Sequence, residues 1–208
     1  MKLFYAETLN PRKACAVAHY LNAPVDYVYV DLAKGEQRRP EFLAINPNGK
    51  VPVLQDGEMR LWEANAIMCY LARAAGSDLW PDGPRQIEVM RWLSWNADHF
   101  TRHAGALYFQ HIIKPTVGLG EPDATVVKES TGYFRQFANV LNEHLKGRKY
   151  LLGDLLTVAD FAVGVSLPYA AKARIPVEDF AEIERWHARL NELPAWREPF
   201  PVKQTQAA

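Results

Sequence analysis

The 208 residues carry 24 Lys+Arg against 24 Asp+Glu, so the formal charge is zero and nothing electrostatic calls for nucleic acid or an anionic membrane as a partner. Forty-nine per cent of the residues are hydrophobic, enough for a sizeable core in one or two domains, and no apolar run is long enough to span a bilayer. Two cysteines, Cys15 and Cys69, make no disulfide framework, and without a signal-peptide pattern the expectation is a cytoplasmic protein.

Met1 to Tyr5 reads as a short strand with Leu3 and Tyr5 on one face. Pro11 to Leu21 is helical, with Asn10 as the expected N-cap, Pro11 at the first helical position, and Ala14, Val17, Ala18 and Leu21 facing inward. Tyr27 to Val30 is a second strand. A basic loop with Lys34, Arg38 and Arg39 then leads into a short helix anchored by Phe42 and Leu43.

Asn46-Pro47-Asn48-Gly49 is dense turn chemistry, and Val51 to Leu54 follows as a third strand. Pro52 sits at its start, where a proline cannot donate to the ladder. A cis Val51-Pro52 bond would swing the Val51 N–H and C=O outward to pair with an extended ligand. An ordinary trans proline at a strand edge is the other reading. An Asp56-Gly57 turn leads to a fourth strand, Glu58 to Leu61. Glu63 to Ala74 is a helix with a stripe of Ala64, Ile67, Met68, Leu71 and Ala75.

Leu79 to Pro84 is a turn-rich linker, and the pattern after it is all helical. Val89, Leu93, Ala97, Phe100, Ala104 and Leu107 make a long core stripe. Asn96, His99, His103 and Gln110 run beside it, either as a solvated face or with His99 and His103 facing a cleft between the domains. Lys114-Pro115 ends that helix, and Glu121-Pro122-Asp123 opens another to about Leu145. Thr157 to Asp160 reads as a capping box with Leu156 and Phe161 as its staple. Asp179 to Leu193 is the last long helix, Pro194-Ala195-Trp196 starts a short one, and the tail after Pro201 is expected to be loose.

The order β-α-β, then a proline-led β-β-α, then helices, resembles the glutathione S-transferases over nearly the whole chain. The resemblance is carried by N-P-x-G-x-V-P-x-L at 46–54, W-E-A-N-A-I at 62–67 and L-T-V-A-D-F at 156–161. It implies a thioredoxin-like α/β domain at 1–78, a linker at 79–84 and an all-α domain at 85–208. It also implies glutathione as co-substrate, a small electrophile or disulfide as second substrate, and a two-fold homodimer, with no metal. Cys15 and His19, at i,i+4, lack the rest of a metal shell.

A helix N-terminus stabilises an anion, and a thiolate placed there has a lowered pKa. The Thr8-Leu9-Asn10-Pro11-Arg12-Lys13 segment is similar to the S/T-x-N-x-R-K loop of bacterial and theta-like members. In the nu-like group a T-x-N pair holds the glutathione sulfur, which implies that role for Thr8 and Asn10. Tyr5 is a rival, because tyrosine-type members activate the thiol from the end of the first strand. Glutathione would also contact Gln37, Lys50, Val51, Pro52, Glu63, Ala64 and Asn65. Family members usually have Glu-Ser where this chain has Glu63-Ala64, so one hydrogen bond to the γ-glutamyl carboxylate is missing and weaker glutathione binding is expected. The implied activity is detoxifying conjugation of glutathione to electrophiles. The alternatives are glutathione-dependent disulfide or peroxide reduction of the nu-like type, and a non-catalytic binding protein that kept the fold.

Overall fold

The computed structural model describes residues 1–201. Strands β1 (Lys2–Tyr5) and β2 (Asp26–Tyr29) are parallel, joined by helix α1 (Leu9–Tyr20). A short helix α2 (Pro40–Leu43) precedes β3 (Val53–Asp56) and β4 (Met59–Trp62), and α3 (Ala64–Ala74) closes the unit. The sheet order is β2-β1-β3-β4, with β3 antiparallel to both β1 and β4.

The alternation of β1 explains the layering. Leu3 and Tyr5 are buried in the main core, which α1 and α3 share. Phe4 points the other way, onto Phe42 of α2, with Val30 and Val53 beside it. The third strand begins at Val53, two residues later than its apolar run indicates, so Val51 and Pro52 lie in the loop before it. The hairpin turn falls on Gly57 and Glu58, with Gly57 at positive φ.

The second half opens with a helical rod from Pro84 to Thr116. It runs through α4 (Pro84–Trp95), α5 (Thr101–Tyr108) and α6 (Lys114–Thr116), with π-helical turns at Asn96–Phe100 and Phe109–Ile113 between them. Most of the expected stripe is buried, but Ala97 is exposed and Asn96 takes its place. A π turn widens the helix and rotates the phase of the residues beyond it. Asn96 Nδ2 donates to the Ala162 carbonyl at 3.1 Å, and its Oδ1 accepts from Thr101 Oγ1 at 2.7 Å. Gln110, in the second π turn, is buried too and accepts from the Asp123 N–H at 2.8 Å. Half of the expected polar strip is therefore internal hydrogen bonding, not a solvated face.

Asp123 caps α7 (Ala124–Leu145), accepting from the N–H groups of Thr125 and Val126. The capping box opens α8 (Val158–Val163), and a 3₁₀ segment (Gly164–Tyr169) leads into α9 (Ala170–Ala173). The last long helix, α10 (Ala181–Leu190), is shorter at both ends than expected, and α11 (Pro194–Arg197) follows. Asp160 is fully buried and accepts from the backbone N–H groups of Leu151 and Thr157, from Thr157 Oγ1 and from Trp186 Nε1. It joins three segments of the helical half.

One core runs through both halves, with Leu3, Ala14 and Met68 in the same packed cluster as Phe161 and Trp186. Leu79 is buried and its carbonyl accepts from the Val158 N–H at 2.9 Å. The two halves are therefore joined by a shared core and by this backbone hydrogen bond. The expected loose tail after Pro201 lies outside the described residues.

Candidate functional site

α1 begins two residues earlier than its Asn-Pro signal indicates. Leu9 is its first residue and Thr8 its N-cap, so Asn10 lies within the first turn and is exposed. Pro11 is tolerated there because the first four N–H groups of a helix have no intrahelical partner. Thr8 has the extended backbone of an N-cap (φ −131°, ψ 172°), yet its side chain makes no capping hydrogen bond. Its hydroxyl and the first N–H groups of α1 remain available at the mouth of a cleft.

That cleft, about 600 Å³, separates the two halves of the chain. Thr8, Leu9, Asn10 and Val51 line its N-terminal side. Tyr29 and Leu32 continue that wall, and Thr101, Tyr108, Phe109 and Ile113 of the helical rod face it. Burial and the neighbouring Tyr169 push the Tyr108 phenol up to about 12, so it is a neutral hydrogen-bonding group at physiological pH.

A smaller cleft of about 110 Å³ adjoins it, lined by Asn10, Lys50, Val51, Pro52, Glu63 and Ala64 among others. Asn10 and Val51 line both, so the two spaces meet along those residues. The Val51-Pro52 bond is cis. Among the described residues, no backbone hydrogen bond uses the Val51 N–H or C=O. The loop before it is pinned by buried Asn46, which donates to the Lys50 carbonyl at 2.7 Å and accepts from the Asn48 N–H at 3.0 Å. Gly49 has φ +59°, and a Cβ there would lie 3.1 Å from the Gln37 carbonyl oxygen, so this close approach requires glycine.

Glu63 caps α3 at φ 71°, ψ 112°, a conformation that costs a non-glycine residue about 1–3 kcal/mol. Such strain is concentrated at ligand sites. Its carbonyl accepts from the Ile67 N–H, which leaves the N–H groups of residues 64 to 66 facing outward at the positive end of α3. Gln37 and Asn65 line neither cleft, but each carries a buried side-chain oxygen without a partner among the described residues. Both are half-buried beside the loop and helix start that do line it.

The two histidines lie elsewhere. His99 stacks on Phe137 at 4.6 Å, and His103 lies between Tyr133 and Phe137 at 4.8 and 5.7 Å. Both face α7, because the first π turn sets their phase, and neither lines the cleft. Burial, Arg102 and His99 lower the His103 pKa. Tyr5, the rival activator, is buried edge-on to Tyr27 and Tyr29 and stacked on Phe200. Cys15 is fully buried, and burial raises its thiol pKa far above neutrality, so it offers no thiolate. Sequence reasoning missed Tyr29, Tyr108 and Phe109. Tyr29 ends β2 and Tyr108 and Phe109 lie on the rod beyond the expected buried stripe; which of them line the cleft depends on how the two halves pack, which no local pattern carries.

Two helix N-termini thus open onto one groove, with an unpaired extended peptide between them. Residues 1–73 match the glutathione S-transferase N-terminal domain, and residues 97–194 match the glutathione S-transferase C-terminal domain. Glutathione S-transferase 3 of Zea mays is 33% identical over 218 aligned residues, covering 98% of this chain and 97% of that one. The chain belongs to the glutathione S-transferase family. Another relative, glutathione S-transferase F10 of Arabidopsis thaliana, is 35% identical, covering 82% of each chain. A solved glutathione S-transferase-I bound with lactoylglutathione superposes with a TM-score of 0.86 at 28% identity, covering 95% of this chain and 97% of that one. Glutathione transferase F7 from Populus trichocarpa gives 0.88 at 25% identity, covering 95% and 96%. The relatives from Zea mays, Arabidopsis thaliana and Populus trichocarpa are plant proteins; they support the family, and not the bacterial nu-like or theta-like groups in particular.

Proposed function

We propose that the protein is a glutathione transferase that holds glutathione along the smaller cleft and conjugates it to an electrophile in the larger one. The observation that carries this reading is the sharing of Asn10 and Val51 between the two clefts. A peptide paired to Val51 would lie with one end at the start of α3 and its middle at the start of α1. The γ-glutamyl carboxylate would meet the free N–H groups of α3, and Glu63 its amine. The sulfur would meet Thr8 Oγ1, the Asn10 amide and the first N–H groups of α1, all of which favour a thiolate. Lys50, Gln37 and Asn65 would supply the remaining polar contacts.

Glutathione is a co-substrate in this reading, and no protein thiol takes part in the chemistry. Cys15 is sealed in the core, and burial pushes Cys69 up to about 12. Disulfide or peroxide reduction would have to run through glutathione itself. The T-x-N loop supports that nu-like branch as a secondary activity of the same site. The wider reading is of a cytoplasmic enzyme that forms a two-fold homodimer.

Calorimetric titration with glutathione, followed by turnover of a chlorinated nitroarene, tests the reading. Micromolar to millimolar binding with glutathione-dependent turnover supports it. Failure to bind glutathione at millimolar concentration contradicts it.

A further inference from the structure

The helical rod brings two hydroxyls to the larger cleft, Thr101 and Tyr108, and the proton of one is committed elsewhere. Asn96 is buried in the first π turn, and its Nδ2 donates to the Ala162 carbonyl at 3.1 Å. A carbonyl oxygen can only accept, so this bond fixes which way the amide lies. Asn96 Oδ1 therefore faces Thr101, and it too can only accept. Thr101 Oγ1 donates its proton to it at 2.7 Å. What Thr101 Oγ1 has left is its lone pairs.

The π turn makes this pairing. Residues five apart diverge by about 140° around an α-helix. The wider turn brings Thr101 back over Asn96, and the Thr101 N–H donates to the Asn96 carbonyl. Gly105 follows one turn along the same face of α5, and Tyr108 nearly one turn beyond it. Gly105 has no side chain, and a Cβ there would lie 4.0 Å from Leu9 Cδ1. Leu9 sits between Thr8 and Asn10, so the bare strip at Gly105 faces the start of α1, where the sulfur is placed above. Tyr108 is a phenol that can give or take a hydrogen bond, so it imposes no choice of its own. Tyr29 and Phe109 add aromatic surface to the same walls.

We propose that Thr101 is a specificity residue for the electrophile: held as an acceptor by Asn96, it selects electrophiles that carry a hydroxyl or N–H donor about one helical turn from the reacting carbon. The inference rests on the glutathione reading above and names the class of second substrate. An electrophile with its reacting carbon over Gly105 would reach Thr101 about 6 Å along the rod. A donor at that end gains a hydrogen bond. An ether at the same place meets lone pairs with lone pairs and gives up its water without replacement.

The test uses para-hydroxybenzylideneacetone and para-methoxybenzylideneacetone, whose ring substituents donate electrons to a similar extent. In both, the glutathione thiolate adds to the β-carbon, the C=C electron pair moves onto the carbonyl as an enolate, and a proton from water at the α-carbon completes the saturated ketone. kcat/KM is measured for each below neutral pH, where the phenol is protonated, with the uncatalysed rate subtracted. The wild type is expected to favour the hydroxy compound about tenfold, as one hydrogen bond gained or lost implies. In Thr101→Val the ratio of the two is expected to fall to about one, and in Thr101→Ser, which keeps the hydroxyl, to stay near the wild-type value. A merely structural role for Thr101 would slow both compounds alike and leave the ratio unchanged. Should the valine variant fail to fold, Thr101→Ala makes the same comparison. A wild-type ratio near one, a ratio unchanged in Thr101→Val, or a wild type that binds glutathione and consumes neither compound overturns this inference alone. A wild type that does not bind glutathione overturns the glutathione reading and this inference with it.

Discussion

The Arg12 guanidinium donates to the Trp196 carbonyl oxygen at 2.5 Å, tying the first half of α1 to the last helix across 184 residues of chain. The guanidinium also lies over the Tyr169 and Trp196 rings, at 5.6 and 5.4 Å from their centroids. His19 adds a second tie, its Nδ1 3.1 Å from the Glu198 carbonyl oxygen. The helix that carries Thr8 and Asn10 is thereby fixed to the helical half, which sets the width of the cleft between them.

Arg12→Met is expected to loosen this junction. It leaves the buried Trp196 carbonyl without its donor, at about 1–3 kcal/mol, and removes cation–π contacts worth roughly 0.5–2 kcal/mol. Relief from burying a charge offsets part of that. A net loss of about 2 kcal/mol corresponds to a melting temperature lower by about 4–8 °C for a chain of this size. A thermal melt checks it; an unchanged midpoint would show that the tie adds nothing.

Asp160 gives a pH signature. Burial pushes its carboxyl up to about 6, although four hydrogen-bond donors pull the other way. In the unfolded chain it titrates near ~3.9. Between those values the folded state binds more protons, so this group's contribution falls as pH rises from about 4 to about 6 and is flat outside that window. Roughly two pKa units correspond to about 3 kcal/mol, an order-of-magnitude figure. Chemical denaturation of wild type and Asp160→Asn across that window should show the difference. Asp160→Asn itself is expected to be less stable at pH 7, because its amide N–H groups would face existing donors.

Assembly makes a separate prediction. The outer side of α3 presents Ala66, Cys69 and Tyr70, half-buried within the single chain, and the Tyr70 hydroxyl is held by Asp56 Oδ2 at 2.8 Å. In a two-fold dimer that buries this side, sedimentation at micromolar concentration should give twice the 23.6 kDa chain mass. Cys69 should then react more slowly with thiol reagents than a free cysteine. A monomeric mass would remove the dimer from the account.

The strands, their order and the proline-led loop were legible because alternation and turn chemistry are local signals. The start of α1 was not. Asn10 and Pro11 fit the rules for a helix start, but the chain has room for Thr8 to take the cap, since Pro11 gives up an N–H that the first turn does not use. Ala97 and Asn96 exchanged places for a different reason. A straight helix predicts the phase, and the π turn at Asn96–Phe100 changes it through tertiary hydrogen bonds that no local pattern carries. His99 and His103 turned with it, because the aromatic partners that hold them belong to α7, which the sequence does not place beside them.

Asn10 separates cap from chemistry more cleanly now that Thr8 holds the cap. Asn10→Asp puts a carboxylate in the first turn of α1, which the helix dipole favours by roughly 0.3–1 kcal/mol. The melting temperature should stay or rise slightly. The same carboxylate beside a thiolate opposes it, by about 4 kcal/mol for charges ~4 Å apart at an effective dielectric near 20. Turnover should fall strongly while stability does not. Thr8→Ala should lose less turnover, since the Asn10 amide remains, but also cost about 1 kcal/mol or less of stability, because its hydroxyl makes no capping bond. An Asn10→Asp variant that turns over like the wild type would place thiol activation elsewhere.

The most direct test of the account is the ionisation of glutathione bound to the wild-type protein, monitored by thiolate absorbance in the ultraviolet as pH is raised. The account predicts a bound thiol that is largely ionised near neutral pH, with a pKa at least about one unit below that of an ordinary cysteine thiol near ~8.5. The midpoint should move up in Asn10→Asp and, by less, in Thr8→Ala. Bound glutathione that titrates like free thiol would contradict it, leaving a glutathione-binding fold without activating chemistry at the start of α1.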